Sequence, residues 1–177
     1  MAEIETARLR LRPYTLDDLD RLAVILSNPE VMKYSPRGPI AKGKEKQVTR
    51  DILEYFIEHW EKYGFGVWAA IEKPTRKLIG HCGLNCLPNS PDIEIIYRFD
   101  QNYWNQGIAT ETTKAILYYG FSFVKLHKIV AIASPKHIAS RRVMEKAGLK
   151  YEKDARFYKL DVVYYSITKD EWQPDDF

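Results

Sequence analysis

The sequence predicts an α+β domain (α/β layered): one mixed central β-sheet flanked by helices, filling residues 1–177 as a single domain. Three observations carry this expectation. Seven segments alternate polar and apolar residues or run β-branched, as strands do. Four segments space their apolar residues at helical intervals. A glycine-containing turn, 103–112, joins one apolar run to a helical pattern, and another apolar run follows that helix.

Residues 8–12, Arg-Leu-Arg-Leu-Arg, alternate and form the first strand. Thr15-Leu-Asp-Asp18 has capping-box spacing, with Asp replacing Glu. Leu16, Leu19, Leu22, Ala23 and Leu26 follow at helical spacing until Asn28-Pro29 ends the helix. A turn at 35–39 leads to a second helix with Val48, Ile52, Leu53, Phe56 and Trp60 on one face, stopping at Gly64. Strand runs at 65–71, 77–84 and Ile93–Phe99 are separated by proline turns and form an antiparallel meander. The Gly107 turn opens a helix reaching about Val124. Lys128–Ala133 is a β-branched run, residues 139–146 form a short helix with Gly148 just past its end, and strands near 151–157 and 162–168 close the chain. The fourth and fifth strands, Ile93–Phe99 and Lys128–Ala133, flank a helix, which makes them parallel neighbours.

The chain has 177 residues, 45% hydrophobic and 29% charged, which suits one globular domain. Its 27 basic and 24 acidic residues balance too evenly to indicate nucleic-acid binding. No eighteen-residue apolar stretch exists, so no membrane span is expected, and the charged start is unlike a signal peptide. A cytoplasmic location is the simplest expectation. Cys82 and Cys86 read as structural thiols, and His59, His81, His127 and His137 lack metal-ligand spacing, so no metal is expected.

The order strand, glycine turn, helix start is the geometry of an anion site. The first turn of a helix carries unpaired N–H groups at the positive end of its dipole. A phosphate fits there without a cationic side chain, so a phosphorylated ligand is expected at 103–112.

Four stretches together resemble the GNAT acetyltransferase superfamily, and within it the branch that acetylates ribosomal-protein N-termini (RimJ/RimL type). Thr6-Ala-Arg-Leu-Arg-Leu-Arg-Pro13 is similar to the family's opening strand, and Ser27-Asn-Pro-Glu-Val-Met32 to the end of its first helix. Glu94-Ile-Ile-Tyr97 with Tyr103-Trp-Asn-Gln-Gly-Ile-Ala-Thr-Glu111 resembles its central strand and pyrophosphate loop. Ser140-Arg-Arg-Val-Met-Glu-Lys-Ala-Gly-Leu149 resembles its late helix. Trp104 holds the position where the superfamily pattern has Gln or Arg, as is usual in this branch, while Gly107 and Ala109 keep the remainder. His137 stands where the branch usually has Asn, and Met144 where many members have Tyr.

The resemblance implies that acetyl-CoA binds at the splayed fourth and fifth strands. Trp104, Asn105, Gln106, Gly107, Ile108, Ala109 and Thr110 form the loop that would offer N–H groups to the pyrophosphate. The backbone of Ile96, Tyr97, Arg98 and Phe99 would pair with the pantetheine like an added strand. A bulge there would aim one N–H at the thioester oxyanion, a donor worth about 3 kcal/mol. Glu94 is the acid inside this strand, on the face of Ile96 and Arg98. It reads either as the base that takes the amine proton or as the partner of Arg98 in a salt bridge. Ser140 reads either as the group assisting the departing sulfur or as a helix N-cap. His137 reads as a pantetheine contact or a surface histidine. Tyr158, Tyr164 and Tyr165 line the acceptor cleft or pack an edge strand.

The function expected is acetyl-CoA-dependent N-acetylation of a primary amine, a protein N-terminus or a small-molecule amine, by direct attack in a ternary complex. The alternative is a non-catalytic acetyl-CoA-binding sensor. The partners expected are acetyl-CoA and an amine acceptor, with neither nucleic acid nor membrane. A homodimer is common for such folds, but the sequence carries no interface signature.

Overall fold

The sheet begins one strand earlier than the alternation at 8–12 indicates. In the computed structural model, which describes residues 3–174, Ile4–Glu5 (β1) pairs antiparallel with Leu9–Pro13 (β2). Then follow Val67–Glu72 (β3), Leu78–Cys86 (β4), Ile93–Phe99 (β5), Lys128–Ala133 (β6), Lys150–Phe157 (β7) and Leu160–Thr168 (β8). They make one mixed sheet in the order β1-β2-β3-β4-β5-β6-β8-β7. The helices are Leu19–Ser27 (α1), Pro29–Met32 (α2), Glu45–Tyr63 (α3), Ile108–Ser122 (α4) and Ile138–Lys146 (α5). Among the described residues no helix is long and apolar enough to cross a membrane.

Local chemistry sets most boundaries. The expected capping box forms, with the Asp18 carboxylate accepting from the Thr15 N–H at 3.0 Å, but it caps a 3₁₀ turn that precedes α1. Asn28 ends α1 and then caps α2, its side chain accepting from the Glu30 N–H with Pro29 at the first helical position. Gly64 ends α3 in the left-handed region, where a side chain would be strained.

The sheet divides the two larger of three core clusters among the described residues. Leu22, Leu26 and Met32 of α1 and α2 and Leu53 and Phe56 of α3 cover Val67 and Ala69, with Ile96 packed against them. Ile116 and Phe121 of α4 and Met144 of α5 cover Trp68, Cys82, Ile95 and Phe99 on the opposite face. Strand alternation thus sends Ile95 and Phe99 one way and Ile96 the other.

Strands β5 and β6 are parallel, as expected, but they pair at a single position, Glu94↔Val130. Past that point the strands part, and this is where the sheet opens. The bulge expected in β5 is not there: β5 pairs with β4 without interruption from Ile93 to Phe99. Register shifts lie elsewhere: between Tyr151 and Lys153 in the β7–β8 pairing, and between Ala70 and Ile71 in the β3–β4 pairing, beside Gly80. A Cβ at Gly80 would sit 2.2 Å from the Arg98 carbonyl, so the missing side chain lets β4 approach the end of β5 closely. Strand β8 lies between β6 and β7, so Tyr164 and Tyr165 are not on an edge strand.

Candidate active site

The loop after β5 is built to present backbone. Asn105 and Gly107 take left-handed angles, φ +58° and +75°, and Gly107 is the N-cap of α4. Asn and Gly are the residues that adopt this region at least cost. The N–H groups of Asn105, Gln106, Gly107, Ile108, Ala109 and Thr110 donate to no group among the described residues; the first amide engaged is Glu111, to the Gly107 carbonyl. Ile108 is buried and Ala109 packs beside it, so side chains anchor the turn while its amides stay open. The Trp104 indole N–H donates to the Phe99 carbonyl at 2.9 Å, which ties the loop to the strand end.

Arg8 completes this corner, and the sequence reading missed it. Its guanidinium donates to the Gln106 carbonyl at 2.7 Å and to Glu111 at 2.7 Å. Glu111 also accepts from the Thr6 hydroxyl and the Arg8 N–H. Burial pushes the Glu111 carboxyl up, but these bonds outweigh it and leave the carboxyl below its ordinary range. The available signal was the co-occurrence of Thr6-Ala-Arg8 with Glu111 in two stretches read separately. The corner therefore offers six open amides, a helix dipole and a fixed cation, a set that fits a diphosphate.

Glu94 is 3% exposed, at the last position where β5 and β6 pair. It makes no ion pair with Arg98. Its Oε1 accepts from the Asn85 amide at 3.0 Å and from the Tyr158 hydroxyl at 2.8 Å. Tyr55 in turn donates to Asn85 Oδ1 at 2.6 Å. Burial raises the Glu94 pKa, more than these two bonds lower it. Oε2 has no partner among the described residues. It is also absent from the atoms closed off without a bond, which are only the hydroxyls of Thr49 and Thr113. One carboxylate oxygen is thus held and the other is free to accept.

Ser140 does not cap α5. The cap is His137, and Ser140 is the third helical residue, its hydroxyl 2.9 Å from that of Tyr97. Tyr97 also donates to the Ser140 carbonyl at 2.9 Å, which leaves the Ser140 hydroxyl as donor to Tyr97. Burial, first, holds the Tyr97 phenol protonated well above its ordinary range. Tyr97, read from sequence as a backbone contact, thus also positions Ser140 with its side chain. His137 is half-buried and stacks on Tyr34 at 4.3 Å between ring centroids. Burial and then the Arg98 charge lower its pKa.

The GNAT acetyltransferase domain model matches residues 8–150 of this sequence. The chain belongs to the GNAT acetyltransferase family. It is similar to the uncharacterized N-acetyltransferase YnaD of Bacillus subtilis, 32% identical over 96% of this chain and 98% of that one. A GNAT-family acetyltransferase structure from Bacillus anthracis superposes with a TM-score of 0.79 at 28% identity, covering 96% of this chain and 99% of that one. The ribosomal-protein-S5-alanine acetyltransferase of Vibrio fischeri has a TM-score of 0.74 over 98% and 100% of the chains, but at 18% identity it shares the fold alone. As a GNAT N-acetyltransferase, the protein draws on acetyl-CoA and acetylates an amine.

The remaining side chains sort by environment. Among the three tyrosines near the C-terminus, Tyr158 reaches Glu94, whereas Tyr164 and Tyr165 are core residues bonded to Asp92 and Glu145. Cys82 is buried and its thiol is pushed up to about 12, which leaves it a poor nucleophile in this GNAT domain. Cys86 is likewise raised by burial. Among the described residues no group of His, Cys, Asp or Glu is placed to hold a metal ion.

Proposed function

We propose that this acetyltransferase moves the acetyl group directly from acetyl-CoA to a primary amine, with both substrates bound together and Glu94 taking the amine proton. One observation carries the reading: a buried carboxylate with a free oxygen stands where β5 and β6 part, and six open amides stand at the end of the same strand. Asn105 to Thr110 and Arg8 would hold the diphosphate. Beyond Glu94, β5 has no partner on its β6 side, and the backbone of Ile96, Tyr97 and Arg98 would face the pantetheine arm. The Phe99 carbonyl is already taken by Trp104, so it is the least free of that set.

Acetyl-CoA supplies the activated acyl group. The chain supplies the rest: Glu94 accepts a proton at Oε2, directly or through water, while Asn85 and Tyr158 hold Oε1. The Ser140 hydroxyl, held at Tyr97, would stabilise the departing sulfur by turning its one proton from the Tyr97 oxygen to the thiolate. Likeness to the RimJ/RimL branch supports a protein N-terminus as one acceptor, with a small-molecule amine as the other.

The test is a thiol-release assay over a panel of amines and N-terminal peptides, run as an initial-velocity matrix in both substrates. Intersecting lines and release only with amine present are expected. Parallel lines, or an acetylated protein without amine, would reject direct attack.

A further inference from the structure

Four arginines are half-buried among the described residues: Arg12, Arg21, Arg98 and Arg141. Three are engaged: Arg12 by Asp18, Arg21 by Asp100, Arg141 by the Tyr165 hydroxyl and the Pro135 carbonyl. The Arg98 guanidinium makes no hydrogen bond or ion pair among the described residues. Its nitrogens are absent from the atoms closed off without a bond, so the tip of the guanidinium is open, and a partly buried charge with no protein acceptor is placed to take one from a ligand.

The surroundings of Arg98 contain no substitute. Its cross-strand partner on β4 is His81, on the same sheet face. His81 is buried against Phe56 at 5.3 Å between ring centroids and contacts the Tyr14 hydroxyl at 3.2 Å. Burial, and then the Arg98 charge, push His81 down to about 3, so it stays neutral. The charge of Arg98 also reaches His137, which stacks on Tyr34. The charge of Arg98 thus acts on the rings of Tyr14, His81 and His137. The carboxylates of Asp18 and Asp100 are committed to Arg12 and Arg21. Burial lowers the Arg98 pKa to about 10, which leaves it charged at neutral pH.

We propose that Arg98 binds a carboxylate of the amine acceptor, so that the enzyme acts on amines that carry an anionic group. The inference rests on the acetyl-transfer reading above. Arg98 shares its face with Glu94 and with Ile96, which packs toward α1 and α3. Tyr97 and Ser140 lie on the opposite face, and the diphosphate corner has its own cation in Arg8. The Arg98 anion is therefore assigned to the acceptor rather than to the coenzyme. The rigid fork of a guanidinium matches a carboxylate with two parallel bonds.

The experiment uses α- and ω-amino acids, each paired with its carboxamide, as acceptors for the full-length wild type, Arg98→Gln and Arg98→Lys. Wild type is expected to favour the carboxylate member by about 10- to 100-fold in kcat/KM, through KM. Arg98→Gln should bring that ratio near one, Arg98→Lys should retain part of it, and the affinity for coenzyme A, measured by isothermal titration, should stay within about twofold. Turnover of the panel by wild type with no carboxylate preference overturns this inference and leaves the transfer reading intact. Loss of coenzyme A affinity in Arg98→Gln equal to the change in KM also overturns it, since the anion would then be the coenzyme's phosphate. Titration of the amino acids into the coenzyme A complex separates the two ideas. Carboxylate-dependent binding without turnover upholds the Arg98 site and defeats the transfer reading, and absence of both turnover and binding defeats the Arg98 site too.

Discussion

The proposed coenzyme corner and the proposed acceptor face share one strand and are built by opposite means. In the proposed reading the corner would bind with backbone: Asn105 and Gly107 turn the chain and leave its amides open. The acceptor face would bind with side chains drawn from α3, β4, β5 and the β7–β8 turn. Tyr158 meets Glu94 across 64 residues of sequence, and Tyr55 meets Asn85 across 30. The first kind of site needs a local pattern; the second needs the finished fold.

The sharpest way to break this contrast is Glu94→Gln. Turnover should fall by about 10²–10³-fold while coenzyme A affinity moves less than about twofold, measured by thiol release and titration. Wild-type kcat/KM should rise with pH along a limb above the ordinary carboxylate range, because Glu94 must be ionised and burial raises its pKa. That limb should vanish in the variant. The same shift has a sign for stability: the folded state holds the Glu94 proton more tightly than the unfolded chain. Its contribution is complete below the ordinary glutamate range and is lost as pH rises through the folded value. Glu94→Gln should therefore raise the thermal midpoint at neutral pH, where the wild type buries a charge.

This pairing of lost turnover with gained stability also shows what sequence could reveal. The helix faces, the meander, the parallel pair and the glycine corner were legible because each is periodic or local. The strand Ile4–Glu5 was too short to show a period, and α2 was hidden behind the Asn28-Pro29 stop. Glu94 stood out as an acid in an apolar strand, but the choice between base and Arg98 pair depended on Asn85 and Tyr158, which no spacing connects to it. Ser140 read equally well as a cap, because its partner Tyr97 is 43 residues away.

The corner is broken next. Gly107→Val forces a β-branched residue to φ +75° and should weaken coenzyme A binding by about 10-fold or more, with little effect on the acceptor KM. Ser140→Ala should lower kcat by up to about tenfold, and Tyr97→Phe should match it if the pair acts as one unit. Equal kcat in wild type and Ser140→Ala would leave the hydroxyl a structural role. The smallest effect is reserved for Cys82→Ala with Cys86→Ala: turnover of the folded double variant should stay within about twofold, whereas its loss would point to an acyl group carried on a thiol.

The most direct measurement is an amide proton–nitrogen spectrum of the protein titrated with coenzyme A and, separately, with pantetheine, which lacks the diphosphate. The expected result is large shifts of the Asn105 to Thr110 amides with coenzyme A and small ones with pantetheine. Amides at those six positions that ignore coenzyme A while it binds elsewhere would contradict the cradle.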